Sequence, residues 1–193
     1  MIKILRNPKT EDYKFFKKRV TSPDFPWSYF EETHIDGNVF NSDFRDIPFY
    51  SHCVLERPNK KVPFTSVNST EIELCVKVFD QIMEYNKLHY KVIYRININS
   101  TFYVDNKISP PHVDHDYPHN SLILYLNSFT SGKTHVFHRK FPYPESEIKF
   151  SDMKYSFKGE EDDIITFDGL HYHCVECPDK NQRRIVMVVT YLT

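Results

Sequence analysis

The sequence predicts a mainly β protein, an antiparallel sandwich or barrel braced by N-terminal helices. Three observations predict it. Aromatic residues reach 16% of 193, mostly Phe and Tyr, which suit pleated, half-buried surfaces. Two helical patterns come first, and from about residue 91 short apolar runs alternate with Pro, Gly, Asn, Asp and Ser. The last run, 184–192, is apolar on both faces, as a central buried strand is.

Thr10 caps the first expected helix, with Glu11 and Asp12 in its first turn and Lys17, Lys18 and Arg19 at its far end. Tyr13, Phe16 and Val20 share its buried face. In the second, Thr70 and Glu73 read as a capping box. Ile72, Cys75, Val76, Phe79, Ile82 and Met83 follow at helical spacing, which makes Cys75 a core residue. Strands are expected at 91–98, 120–127, 134–138, 147–150, 154–158, 163–167, 171–175 and 184–192. No repeat or linker interrupts the chain, so 1–193 reads as one domain, with 1–90 as helical or irregular support and 91–193 as the β core.

With 25 basic and 26 acidic residues, the chain lacks the basic excess that general nucleic-acid binding or anionic membranes require. Only four glycines are present, which argues against a glycine-rich nucleotide cradle. Ser131-Gly132-Lys133-Thr134 resembles the end of a P-loop, but position 127 is Asn where that motif needs Gly, so a hairpin turn is expected. Met1 to Arg6 holds no long apolar stretch, and four cysteines in 193 residues make no disulfide scaffold. A cytoplasmic protein with reduced thiols and no membrane span is expected.

Seven of ten histidines lie between 112 and 173. In an extended segment, residues two apart point the same way, so His112 and Asp114 of His112-Val113-Asp114 can grip one ion. A distant third ligand would complete the two-histidine, one-carboxylate face typical of iron(II) sites. The spacing alone is weak, because a second copy occurs at His34-Ile35-Asp36. Context strengthens the first copy. Phe167-Asp168-Gly169-Leu170-His171-Tyr172-His173 is followed by a polar turn and the apolar strand that opens with Arg183-Arg184. An arginine in such a strand needs a partner, and a ligand carboxylate held bidentately supplies one.

The ordered set His112-Val113-Asp114, Leu124-Tyr125-Leu126-Asn127, Gly132-Lys133-Thr134, Phe167 to His173 and the basic residue beyond resembles the iron(II)- and 2-oxoglutarate-dependent oxygenases. The likeness is to their small prolyl-hydroxylase-like branch, which also occurs in phages, and it covers roughly 91–193. It implies a double-stranded β-helix, or jelly roll, with supporting N-terminal α-helices. It also implies that His112, Asp114 and His173 bind Fe(II), and that Arg184 and Tyr125 hold the far carboxylate of 2-oxoglutarate. The implied reaction is hydroxylation driven by O2, with succinate and CO2 as co-products. The implied substrate is a protein side chain such as proline, or a small molecule, with nucleic acid third; a phage enzyme would work in the host cytoplasm. Two departures concern loop shape: Ser131-Gly132 stands for Gly-Gly, and Glu160 to Asp163 stand for Pro-x-x-Gly.

Other readings remain beside this one. A non-catalytic jelly-roll binding module would keep the shape without turnover. Cys174 and Cys177 with His171 and His173 could form a zinc cluster, although structural zinc sites usually have two spaced pairs. His115, His119, His135 and His138 are expected at the surface or behind the ligands. Glu160 to Asp163 reads as a solvated loop, Trp27 as packing, and His171 as a neighbour of the ligands that faces substrate.

Overall fold

A computed structural model describes residues 2–32, 43–58, 62–105 and 107–193; the His34-Ile35-Asp36 copy lies outside them. In chain order the elements are β1 (Lys3–Leu5), α1 (Glu11–Thr21), β2 (Ser28–Phe30), β3 (Phe49–Glu56), β4 (Ser66–Val67), α2 (Ile72–Tyr85) and β5 (Val92–Phe102). Then come β6 (Asn120–Tyr125), β7 (Thr134–Lys140), β8 (Met153–Phe157), β9 (Ile164–Asp168), β10 (His171–Val175) and β11 (Arg183–Leu192).

The large antiparallel sheet runs β1-β9-β6-β11-β5-β3-β2, with β4 beside β3; the small one runs β10-β7-β8. Bridges Ile108–Glu176 and His112–His173 lay the segment before β6 along β10 as a fourth, interrupted strand. From β5 onward the chain therefore crosses between sheets in the order large, small, large, small, small, large, small, large. That alternation is a jelly roll, and the described strands do not join into a closed barrel.

Alternation along the strands sorts side chains between two apolar layers. Ile96, Ile98, Leu122, Leu124, Ile185, Met187 and Val189 face α1 and α2, where Tyr13, Phe16, Val20, Cys75, Phe79 and Ile82 are buried. Ile123, Tyr125, Val136, Ile165, Phe167 and Val186 fill the space between the sheets. Both helices follow the periodicity of the sequence, and the Thr10 hydroxyl caps α1 by accepting from Tyr13 N. No helix of the described residues is long and apolar enough to cross a membrane.

Three expectations need correction. Thr70 and Glu73 form no capping box on α2; the Ser69 hydroxyl instead accepts from Glu71 N at 3.1 Å, just ahead of the helix. Residues 147–150 are not a strand, because two 3-10 turns, Glu145–Glu147 and Phe150–Asp152, occupy that stretch after Pro144. Residues before 91 are more than helical support: β3 pairs with β5 from Phe49↔Thr101 to Leu55↔Ile96 and widens the large sheet.

Candidate metal centre and anion pocket

His112, on the interrupted strand, and His173, on β10, are paired across the ladder, with their ring centroids 4.6 Å apart. Asp114 lies two residues beyond His112. Its Oδ2 is 3.5 Å from His173 Nε2 and accepts from Ser121 Oγ at 3.1 Å. One ligand atom from each of His112, Asp114 and His173 falls within 4.8 Å of the others, close enough to share one ion.

The histidines are oriented for this task. Nδ1 of His112 faces the Pro110 carbonyl at 3.3 Å, and Nδ1 of His173 faces the His171 carbonyl at 3.2 Å. A proton held at Nδ1 leaves the Nε2 lone pair for a cation. Burial raises the Asp114 pKa, but the hydrogen bond and charge of His173, with the charges of His112 and Arg95, outweigh it and hold the carboxyl well below its usual range. The donor set of two imidazoles and one carboxylate fits a divalent iron-type ion.

His171 stays outside this group. Its Nδ1 donates to the Phe137 carbonyl at 2.8 Å, where the β10–β7 ladder shifts register, and it is not among the three groups whose ligand atoms converge. Cys174 and Cys177 are buried, which pushes both thiols up, and among the described residues they join no metal-competent group.

Arg184, Tyr125 and Thr134 meet between the sheets. Arg184 is 4% exposed, donates from Nη2 to Thr134 Oγ1 at 2.8 Å and lies 5.1 Å from the Tyr125 ring centroid. The Tyr125 hydroxyl lies 2.7 Å from the same Thr134 oxygen. Arg184 Nε is buried without a partner, and no carboxylate of the described residues pairs with this guanidinium. A buried, uncompensated cation costs several kcal/mol, roughly 3–5 when a partner is removed, so the pocket is suited to an anion. Two glycines let it close. A Cβ on Gly159 would stand 2.3 Å from the Tyr125 ring, and one on Gly132, at φ +63°, would press on Phe129 and Arg184.

Register links pocket and triad. Val186, Val188 and Thr190 of β11 face Tyr125, Ile123 and Ser121 of β6. Ser121 touches Asp114, and Tyr125 lies four residues along the same face, about 13 Å at roughly 3.3 Å per residue. Arg183 points the other way and is exposed. Asn127 lies beyond β6 and bonds the β11 backbone, accepting from Ile185 N and donating to the Arg183 carbonyl.

Some of the other sequence readings hold and some change. Of His115, His119, His135 and His138, only His138 is exposed, and the other three are buried. His115 Nε2 meets Thr190 Oγ1 at 2.7 Å, and the His119 ring packs over Gly169, where a Cβ would leave it no room. Glu160 and Glu161 of the acidic turn are exposed, as expected of a solvated loop, but the turn is also tied down: Lys9, Lys17 and Tyr13 converge on Asp162, and Lys17 also reaches Glu161. Trp27 packs edge-on against Phe25. Arg95 and Arg57, which the sequence reading passed over, both reach Asp114. Arg95 carried a signal, since a charge amid Val92-Ile93-Tyr94 and Ile96 poses the question that Arg184 poses.

No protein-family model matches the chain, and no curated protein matches it. Solved structures do. A 2OG-Fe(II) oxygenase family oxidoreductase from Burkholderia pseudomallei superposes at TM-score 0.59 with 16% identity, over 93% of this chain and 77% of that one. The epimerase SnoN, in complex with Fe3+, alpha ketoglutarate and nogalamycin RO, gives 0.61 with 7% identity, over 99% and 78%. A Trichoplax adhaerens prolyl hydroxylase, in complex with a hypoxia inducible factor peptide fragment, gives 0.53 with 11% identity, over 99% and 83%. At these identities the likeness shows a shared fold.

Proposed function

We propose that this jelly roll, a fold it shares with 2OG-Fe(II) oxygenases, works as an iron(II)- and 2-oxoglutarate-dependent hydroxylase. The observation that carries the reading is the pairing, inside one sandwich, of the His112–Asp114–His173 group with a buried Arg184 that lacks a carboxylate partner. His112, Asp114 and His173 would hold the iron. Arg184 would grip the far carboxylate of 2-oxoglutarate, with the Tyr125 hydroxyl beside it and Thr134 fixing both.

Bound there, iron with O2 and 2-oxoglutarate supplies hydroxylation of a substrate C–H bond, with succinate and CO2 as co-products. The chain's own residues do the rest. Ser121 and Arg95 orient the Asp114 carboxylate, the two Pro110- and His171-facing Nδ1 atoms keep Nε2 toward the ion, and Ile123, Val136, Phe167 and Val186 keep the interior dry. The substrate is a protein side chain such as proline, or a small molecule.

Succinate formation from 2-oxoglutarate tests the reading. We expect it to require Fe(II) and O2 and to vanish in Asp114→Ala. Failure of the folded chain to bind metal or to form succinate would leave a non-catalytic jelly-roll module.

A further inference from the structure

Arg95, Asn97, Asn99 and Thr101 form a polar row on the β5 face that pairs with Thr190, Val188, Val186 and Arg184 of β11. At its triad end two guanidinium groups converge. Arg95 Nη1 is 3.7 Å from Asp114 Oδ1, and Arg57, just past β3, donates from Nη1 to the Asp114 main-chain oxygen. With the Asn97 carboxamide turned to the orientation that satisfies both its atoms, Arg95 Nη2 donates to its oxygen at 2.7 Å, while Arg95 Nε is buried without a partner. Beside them Ser51 Oγ donates to Asn99 Oδ1 at 2.8 Å.

Arg95 therefore faces the Asp114 carboxylate and Arg57 only its main-chain oxygen; among the described residues no other carboxylate pairs with either guanidinium, and on the reading above the Asp114 carboxylate belongs to the metal. The cosubstrate cannot be their partner as well. Arg95 pairs with Thr190 and Arg184 with Thr101, six residues apart, so their backbones are separated by about 20 Å along the strands. On the reading above, 2-oxoglutarate commits its far carboxylate to Arg184 and its other end to the metal, which leaves no free oxyanion for Arg57 and Arg95. A neutral prolyl ring is no better a partner, since it would meet guanidinium, carboxamide and hydroxyl groups where it needs an apolar wall.

We propose that Arg57 and Arg95 form a substrate subsite for an oxyanion, a carboxylate or phosphate, with Asn97, Asn99 and Ser51 reading polar groups next to it. The proposal rests on the oxygenase reading and narrows its substrate to an anionic, hydrogen-bonding compound. Guanidinium forks match either oxyanion.

Calorimetric titration of the full chain, loaded anaerobically with Mn(II) and 2-oxoglutarate, tests it with three probes: N-acetylglycine, inorganic phosphate and the neutral N-acetylglycine methylamide. We expect one oxyanion to bind at least about tenfold more tightly than the amide, and the tighter one assigns carboxylate or phosphate. Arg57→Gln and Arg95→Gln should each weaken it about tenfold or more, and Arg95→Lys by less than Arg95→Gln, since the charge is kept while the fork is lost. Equal binding of the amide, or oxyanion binding that survives both Gln variants, overturns the subsite. If the chain takes up neither Mn(II) nor 2-oxoglutarate, the oxygenase reading fails. The same titrations of the metal-free chain then judge the oxyanion subsite by the same criteria.

Discussion

Thr134 Oγ1 is the shared partner of Arg184 and Tyr125, accepting from the guanidinium at 2.8 Å and lying 2.7 Å from the phenol oxygen. Thr134→Val keeps the shape and strips both contacts, at about 1–3 kcal/mol for groups left unsatisfied. The affinity for 2-oxoglutarate should fall roughly ten- to a hundredfold. An unchanged dissociation constant would reduce Thr134 to packing.

The two adjacent arginines should separate sharply. Arg184 is buried against Tyr125, whereas Arg183 is exposed at the sheet end, paired with Phe102. Arg184→Ala should raise the 2-oxoglutarate requirement by about a hundredfold or more, since a buried charged hydrogen-bonding pair is worth about 2–5 kcal/mol. Arg183→Ala should change it less than about threefold. Steady-state kinetics in 2-oxoglutarate decide, and the reverse order would break the assignment.

Metal uptake should distinguish the two histidines of β10. His173→Ala removes one of three ligands and should abolish iron-dependent turnover with most of the metal affinity. His171→Ala leaves the triad intact, because His171 is turned to the Phe137 carbonyl, and the metal should stay bound. Equilibrium dialysis with Fe(II) or Mn(II) reads both, and the opposite pattern would make His171 the ligand.

Much of this was legible in the sequence, for physical reasons that differ by element. Helical spacing fixed α1 and α2 because Tyr13, Phe16 and Val20, or Cys75, Phe79 and Ile82, have one place to go. The α2 cap was misread because Ser69 and Thr70 both carry hydroxyls, and only the former meets Glu71 N. β3 escaped because Phe49-Tyr50 and Val54-Leu55 do not alternate and a bulge interrupts its ladder. Within the site, two-residue alternation brings His112 and Asp114 to one side, but His34 and Asp36 share that spacing, and only context and the family resemblance favoured the first pair. The choice of His173 over His171 came from the family resemblance, since alternation leaves both open. Arg57 gave no local signal, for its role arises only when the end of β3 meets the loop that carries Asp114.

The acidic turn should mark the lower pH limit of the fold. Burial pushes the Asp162 pKa up, but hydrogen bonds from Lys17, Lys9 and Tyr13 outweigh it and hold it at about 2, against an ordinary 3.8. A carboxyl depressed in the folded state stabilises fully above 3.8, and that contribution is lost as pH falls toward about 2. Melting temperatures from pH 7 to 2 should drop over that window in the wild type. In Asp162→Asn they should start lower at pH 7 and fall less; parallel curves would contradict the assignment.

The three-residue strand β1 has a consequence for self-association. Lys3, Ile4 and Leu5 pair with Thr166, Ile165 and Ile164, so this short segment occupies the outer hydrogen-bonding edge of β9. An uncovered edge is a template for another chain, most of all where the strand is apolar. Peeling β1 away would present the backbone of Ile164-Ile165-Thr166 to solvent while Asn120–Tyr125 still hold its other side. Loss of residues 1–6 should therefore make the chain associate edge to edge more strongly with rising concentration than the intact chain does, before its interior unfolds.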